Sequence, residues 1–169
     1  MREVQPVVSL AMEAVDRSRI RVKAMLIALN DQGTAHAVSV NAPTAENPDG
    51  YHRFIGGSVE LGETHRDAVL REVREELGAS VADLVYLGCI ENIFRINGAL
   101  GHEIVFLYTG QLDPAPSPTG ATLTEIDGSV LPIEWRNVAI DQTRSIPLYP
   151  AAAESFVHEA AAIRHASHR

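Results

Sequence analysis

GGSVELGETHRDAVLREVREELGA, residues 56–79, is the stretch whose reading decides the fold. Gly56, Gly57 and Gly62 interrupt strand-like residues and mark sharp turns or a close approach of backbone to a ligand. Thr64 with Asp67 three residues on resembles a capping box, so a helix starts near His65. It runs to about Leu77, with Gly78 as its C-terminal stop, and Val69, Leu70, Val73 and Leu77 form its apolar stripe. On an adjacent face Glu72, Glu75 and Glu76 fall at i, i+3 and i+4, within about 100° of one another. Like charges so placed repel by roughly 0.2–0.5 kcal/mol per pair. Glu75 and Glu76 also occupy the last turn, where the helix dipole prefers cations. Three carboxylates there offer hard oxygen ligands suited to Mg²⁺ or Mn²⁺. A bound dication replaces the repulsion with attraction, and local rules are commonly broken at functional sites. The competing reading is a solvated acidic patch on a surface helix.

Outward from this stretch the pattern is that of a mixed α/β or α+β domain. RIRVKAMLIALN (19–30) starts with alternation and ends as an apolar run, which reads as a strand. Asn30-Asp31-Gln32-Gly33 is turn chemistry, and AHAVSV (35–40) reads as the second arm of a hairpin. NAPTAENPDG (41–50) is a polar loop. VADLVYLGCIENIFRI (81–96) reads as extended, in one strand or two, and HEIVFLYTGQL (102–112) as a strong strand. DPAPSPTG (113–120) is a loop. LPIEWRNV (131–138) is a short strand, with Pro132 at its beginning or on an edge. AAAESFVHEAAAIRHA (151–166) is a terminal helix. Residues 1–17 are moderately amphipathic and read as an arm or a short helix.

The 169 residues suffice for one domain with a real core, and the composition (46% hydrophobic, 21% charged) is that of a globular chain. A net charge of −8 argues against a nucleic-acid backbone or an anionic membrane as partner. It leaves room for a small anionic substrate, because a divalent cation inverts the local charge. No stretch approaches the ~20 apolar residues of a membrane span. The single cysteine, Cys89, permits no internal disulfide, points to a reduced cytoplasmic compartment, and reads as a buried, inert strand residue. The histidines show no zinc-like spacing with it.

Residues 57–79 resemble the Nudix box of the Nudix, or MutT-like, hydrolases. That pattern is Gly, five residues, Glu, seven residues, Arg-Glu-aliphatic-x-Glu-Glu-x-Gly-aliphatic. Gly57, Glu63, Arg71, Glu72, Val73, Glu75, Glu76 and Gly78 match at the right spacing. Ala79 departs from it, since a bulkier aliphatic is usual, and Val81 is available to take up that packing. The resemblance implies an α/β/α sandwich with a mixed central β-sheet and the Nudix loop-helix, covering residues 19–165. Residues 18–169 are then one Nudix hydrolase domain, preceded by the arm at 1–17.

The resemblance also implies roles. Glu72, Glu75, Glu76 and the Gly57 carbonyl would hold Mg²⁺, or Mn²⁺ in its place. Glu63 and Arg71 would orient those ligands. One of the glutamates, or an acid from a loop, would help deprotonate the attacking water. The reaction would be hydrolysis of a diphosphate linkage in a nucleoside diphosphate linked to a group X. Outside the box, Glu103, Glu125 and Glu134 are candidate bases. Glu134 is preferred, because a short strand ending the sheet can deliver it. Arg53 is placed on substrate phosphate, with Glu103 also at the substrate and His52 a weaker candidate. Trp135 reads as core rather than as a base-stacking platform.

Substrate choice lies in loops outside the box. The downstream proline typical of ADP-ribose hydrolases is missing between Gly78 and Asp113. The tyrosine of dinucleoside polyphosphate hydrolases is missing too, with Phe94, Arg95 and Ile96 nearby. A nucleoside triphosphate or a nucleotide sugar stays open as the small nucleotide partner, and so does a homodimer. Two rival readings remain. One is a non-catalytic Nudix-fold nucleotide-binding or regulatory module, which would not need the full set of glutamates. The other is an isomerase of an isoprenoid diphosphate, which would want a cysteine in the cleft.

Overall fold

The computed structural model describes residues 18–139 and 146–167. The expectation for residues 1–17 lies outside them. The elements are β1 (Arg21–Ala28), β2 (Ala35–Asn41), β3 (Tyr51–Arg53), β4 (Ile55–Ser58), α1 (His65–Leu77), β5 (Ser80–Ile96), β6 (Ala99–Asp113), β7 (Ala121–Thr124), β8 (Val130–Asn137), β9 (Leu148–Tyr149) and α2 (Glu154–Ala166). A 3₁₀ turn, Ala151–Ala153, leads into α2.

The apolar run in β1 is explained by burial on both of its faces. Ala24, Leu26 and Ala28 enter a core shared with Ala68, Val69 and Val73 of α1. Met25 and Ile27 enter a second core shared with Val157, Ala160 and Ala161 of α2. The result is the expected α/β/α layering, with the mixed sheet divided in two. One sheet runs β4-β1-β6-β5 and the other β7-β8-β2-β3-β9. Each contains one parallel pair, β1 with β6 and β3 with β9. Each fully buried Leu or Ile of β1 contributes roughly 1.5–3 kcal/mol.

This burial overturns the expected hairpin. β1 pairs in parallel with β6 from Arg21↔Glu103 to Ala28↔Gly110, and antiparallel with β4. β2 belongs to the other sheet, between β3 and β8. The turn chemistry is real, since Asn30 Oδ1 accepts from the backbone N–H groups of Thr34 and Ala35. Beyond it, a single bridge, Leu29↔His36, is what remains of the hairpin. Both neighbours of β1 come from far along the chain, so local turn signals could not report them.

β5 is one strand, with register shifts between Ala82 and Val85 and between Tyr86 and Gly88. As the edge strand of its sheet it leaves Cys89 exposed, which corrects the buried assignment. Pro132 sits at the start of β8, where it faces only β7. Trp135 packs against the α1-side core and donates its indole N–H to the Ser117 carbonyl at 2.9 Å. Among the described residues no helix is long and apolar enough to cross a membrane.

The loop-helix forms as its capping residues dictate. Thr64 Oγ1 accepts from the Asp67 N–H at 3.1 Å and donates to the Asp67 carboxylate at 2.7 Å. Gly78 closes the helix in the left-handed region (φ 63°), its N–H donating to the Arg74 carbonyl. Upstream, the chain leaves the second sheet at Arg53 and enters the first at Ile55. Just past that crossing Gly56, at φ 130°, runs with its backbone against Ala24, where a Cβ would overlap the Ala24 carbonyl.

Candidate active site

The acidic face of α1 is organised by one cation. Arg71 Nε donates to Glu63 Oε1 at 2.8 Å and Nη2 to Glu63 Oε2 at 3.0 Å. Its Nη1 reaches Glu72 Oε1 at 3.1 Å and Glu75 Oε2 at 2.9 Å, and Nη2 also donates to the Ser58 carbonyl at 2.9 Å. One planar fork thereby ties the loop before the helix, the end of β4 and two helix carboxylates together. A lysine point charge could not do this. Arg71 holds the Glu63 carboxyl below its ordinary range, and those acids raise the Arg71 guanidinium in turn. Arg74 takes no part in this set.

Glu72 and Glu76 remain the costly members. Burial raises the Glu72 carboxyl, with Arg71 pulling the other way. Glu76 is pushed up to about 8, by burial first and then by the charges of Glu125 and Glu72; Arg53 and the Gly56 N–H oppose the rise. Glu76 Oε2 is buried and has no hydrogen-bond partner. An orphaned carboxylate oxygen in that setting costs about 1–3 kcal/mol or more. Gly57 lies directly beneath Glu72, where any Cβ would overlap the carboxylate. The absence of a side chain lets Glu72 come against the backbone.

These residues fit a hard dication. The donor set is oxygen only, one oxygen is orphaned, and burial raises two of the carboxyls. Among the described residues no three acidic, His or Cys side chains converge into a ready cage. Glu75 is turned to Arg71 and half exposed. An incomplete protein cage suits Mg²⁺, which keeps several waters and takes further ligands from phosphates.

The other expected residues fall in different places. Arg53 reaches the site electrostatically, its charge acting on Glu76 and on Lys23. Glu103 is buried on β6 and paired with Arg21 at 2.7 Å, with Asn92 Nδ2 also donating to it at 3.4 Å. Glu134 projects from β8 with 60% of its side chain exposed, 3.7 Å from His52 Nε2. His52 is buried, and its Nδ1 lies 3.1 Å from Arg136 Nη1. Of the acids outside the helix, Glu125 has the strongest effect on Glu76.

Sequence reasoning passes over Lys23. Burial lowers its ammonium to about 8, Arg53 and Arg21 adding to the effect against Glu103 and Glu72. Its Nζ donates to Ser58 Oγ at 2.8 Å. The available signal was a second cation in the β1 alternation, two residues after Arg21 and so on the same strand face.

The NUDIX domain family model matches residues 19–154. Over 43 residues the chain is 51% identical to "Putative 8-oxo-dGTP diphosphatase YtkD" of Bacillus subtilis (strain 168). That match spans 25% of this chain and 27% of the relative, so the chain covers about a quarter of that protein's length. Among solved structures, a MutT NUDIX hydrolase from Burkholderia pseudomallei superposes with a TM-score of 0.59 at 22% identity, covering 84% of this chain and 98% of that one. A NUDIX hydrolase from Nitrosomonas europaea gives 0.53 at 20% identity, covering 89% and 92%. These structures establish the likeness of fold.

Proposed function

Since the chain belongs to the Nudix family, we propose that it is a metal-dependent hydrolase cleaving a diphosphate linkage in a nucleoside diphosphate linked to a group X. Residues 18–169 form its single catalytic domain. The observation that carries this reading is Glu76: a buried carboxylate with an orphaned oxygen, facing Glu72 and Glu125 beside the Gly56–Gly57 segment. A binding module has no use for so costly a group. The likeness over 43 residues to an 8-oxo-dGTP diphosphatase of Bacillus subtilis favours a nucleoside triphosphate over a nucleotide sugar.

Glu72, Glu76 and the Gly57 carbonyl would hold the divalent cation, Mg²⁺ or Mn²⁺, with Glu75 available as a further ligand. When bound, that cation stabilises charge on the attacking and leaving oxygens. Arg71 and Glu63 keep the acidic face in register with the β4 end. Glu125, which Arg71 does not engage, takes a proton from the attacking water as its oxygen bonds to phosphorus. The phosphorus–oxygen anhydride bond breaks, and its electron pair leaves with the departing phosphate or pyrophosphate. Arg53 steadies the phosphate oxygens, so positioning and charge do most of the catalytic work.

The test is product release from nucleoside triphosphates, oxidised nucleotides, nucleotide sugars and dinucleoside polyphosphates, each with Mg²⁺, Mn²⁺ or chelator. Metal-dependent cleavage, strongest on triphosphates, is expected. Silence across the panel from folded, metal-loaded protein, together with nucleotide binding, would establish the non-catalytic module instead.

A further inference from the structure

We propose that Lys23, held in place by Ser58, is a substrate contact that forms with Arg53 a seat for the phosphate oxygens the acidic face cannot hold. The inference rests on the reading just given, and its residue is not foreseen from the sequence. Lys23 lies on β1 opposite Ser58 of β4, in the antiparallel register that also sets Ala24 against Gly57. Its ammonium therefore ends beside the turn carrying the Gly57 carbonyl and close enough to Glu72 to feel its charge.

The neighbouring charges show what is lacking. Arg21, on the same strand face, is already neutralised by Glu103, which is buried and further fixed by Asn92. Glu103 is thus the counter-ion of Arg21. Among the described residues the Arg53 side chain makes no ion pair and no hydrogen bond, yet its charge presses on Lys23. Ser58 Oγ orients the ammonium but is neutral and cannot discharge it. Lys23 and Arg53 thus have no salt bridge among the described residues and repel each other, with the longer-range attraction of Glu72 and Glu76 to offset this. Such crowding is unfavourable alone and becomes favourable with an anion between them.

The arrangement mirrors that of the glutamates. Glu76 keeps an orphaned oxygen and Lys23 and Arg53 keep no salt bridge among the described residues, on the two sides of the Gly56–Ser58 segment. A phosphate chain carrying a divalent cation satisfies both at once. Glu72 and Glu76 would hold its cation, and Lys23 and Arg53 would bind its remaining phosphate oxygens. A purely structural role for Lys23, tying β1 to β4, adds little, because the backbone pairing already joins Lys23 to Ser58.

Calorimetric titration with inorganic pyrophosphate, with Mg²⁺ and with chelator, tests the seat without relying on turnover. Lys23→Met should raise the dissociation constant by about tenfold or more, the loss of one charge-assisted hydrogen bond. Lys23→Arg should recover most of the affinity, and Ser58→Ala should fall between. On a cleaved nucleotide, Lys23→Met should raise KM by a similar factor and change kcat much less. An unchanged pyrophosphate affinity in Lys23→Met with wild-type thermal stability overturns the proposal, and so does wild-type protein that binds no pyrophosphate. If pyrophosphate binds through Lys23 but no nucleotide is cleaved, the hydrolase reading fails and the seat stands.

Discussion

Replacing Glu76 with glutamine should make the metal-free protein more stable in alkali while removing its activity. Glu76 in the fold titrates near 8, against 4.5 for an ordinary glutamate. The folded state therefore binds a proton that the unfolded chain has released, and stability declines as pH rises between those values. The contribution is fully present below about 4.5 and gone above about 8. At about 1.36 kcal/mol per pH unit the span corresponds to at most about 5 kcal/mol. Water penetration and side-chain relaxation bring the expected figure to roughly 2–3 kcal/mol. In Glu76→Gln the amide keeps the size and an acceptor for the Gly56 N–H but never ionises. Denaturant and thermal melts of both proteins in chelator, from pH 5 to 9, should show their difference growing in favour of the variant as pH rises. For a chain of this length the gain at pH 9 is about 4–12 °C in thermal midpoint. Millimolar Mg²⁺ should restore the wild type most at the alkaline end and do little for the variant. A difference that stays constant with pH would refute the claim that Glu76 is a strained carboxylate awaiting a cation.

Arg71→Ala should cost roughly 1–3 kcal/mol of stability and lower kcat at least about a hundredfold, with Arg71→Lys rescuing neither; steady-state kinetics and melts on the same preparations decide it. Gly57→Ala should fold but lose Mg²⁺-dependent stabilisation, because the new methyl displaces the Glu72 carboxylate; near-normal metal titration would contradict this. Glu125→Gln should reduce kcat by about 10²–10⁴, whereas Glu134→Gln, altering an exposed partner of His52, should stay within a few-fold. The reverse order would return the base to Glu134. Cys89 should react stoichiometrically with a thiol reagent in the native state and leave turnover intact.

The acidic helix α1 was legible because its determinants are local. Thr64, Asp67 and Gly78 each act within a turn of their own position, and the helix spans His65–Leu77 as the caps require. The three glutamates were readable as a group because helical spacing alone puts them on one side. Arg71 was readable as their neighbour, but its simultaneous hold on Glu63, Glu72, Glu75 and the Ser58 carbonyl was not. The β1–β2 hairpin misled because turn residues report chain direction and not the identity of the partner strand. Cys89 misled because an apolar run looks the same on an edge strand and a central one.

Sequence alone therefore determined the family, the helix and its acidic face, all set by spacing within some twenty residues. Tertiary structure decided everything that depends on strands brought together from distant parts of the chain. It split the mixed sheet in two by pairing β1 with β4 and β6 and setting β2 between β3 and β8. It gave Glu103 to Arg21, 82 residues away in sequence, and brought Lys23 to Ser58. It left Arg53 without an ion-pair partner among the described residues, within reach of Lys23. It also set Glu125 rather than Glu134 against Glu76. Burial and Coulomb interactions depend on distances in space, and sequence spacing reports those distances only within a single helix or strand.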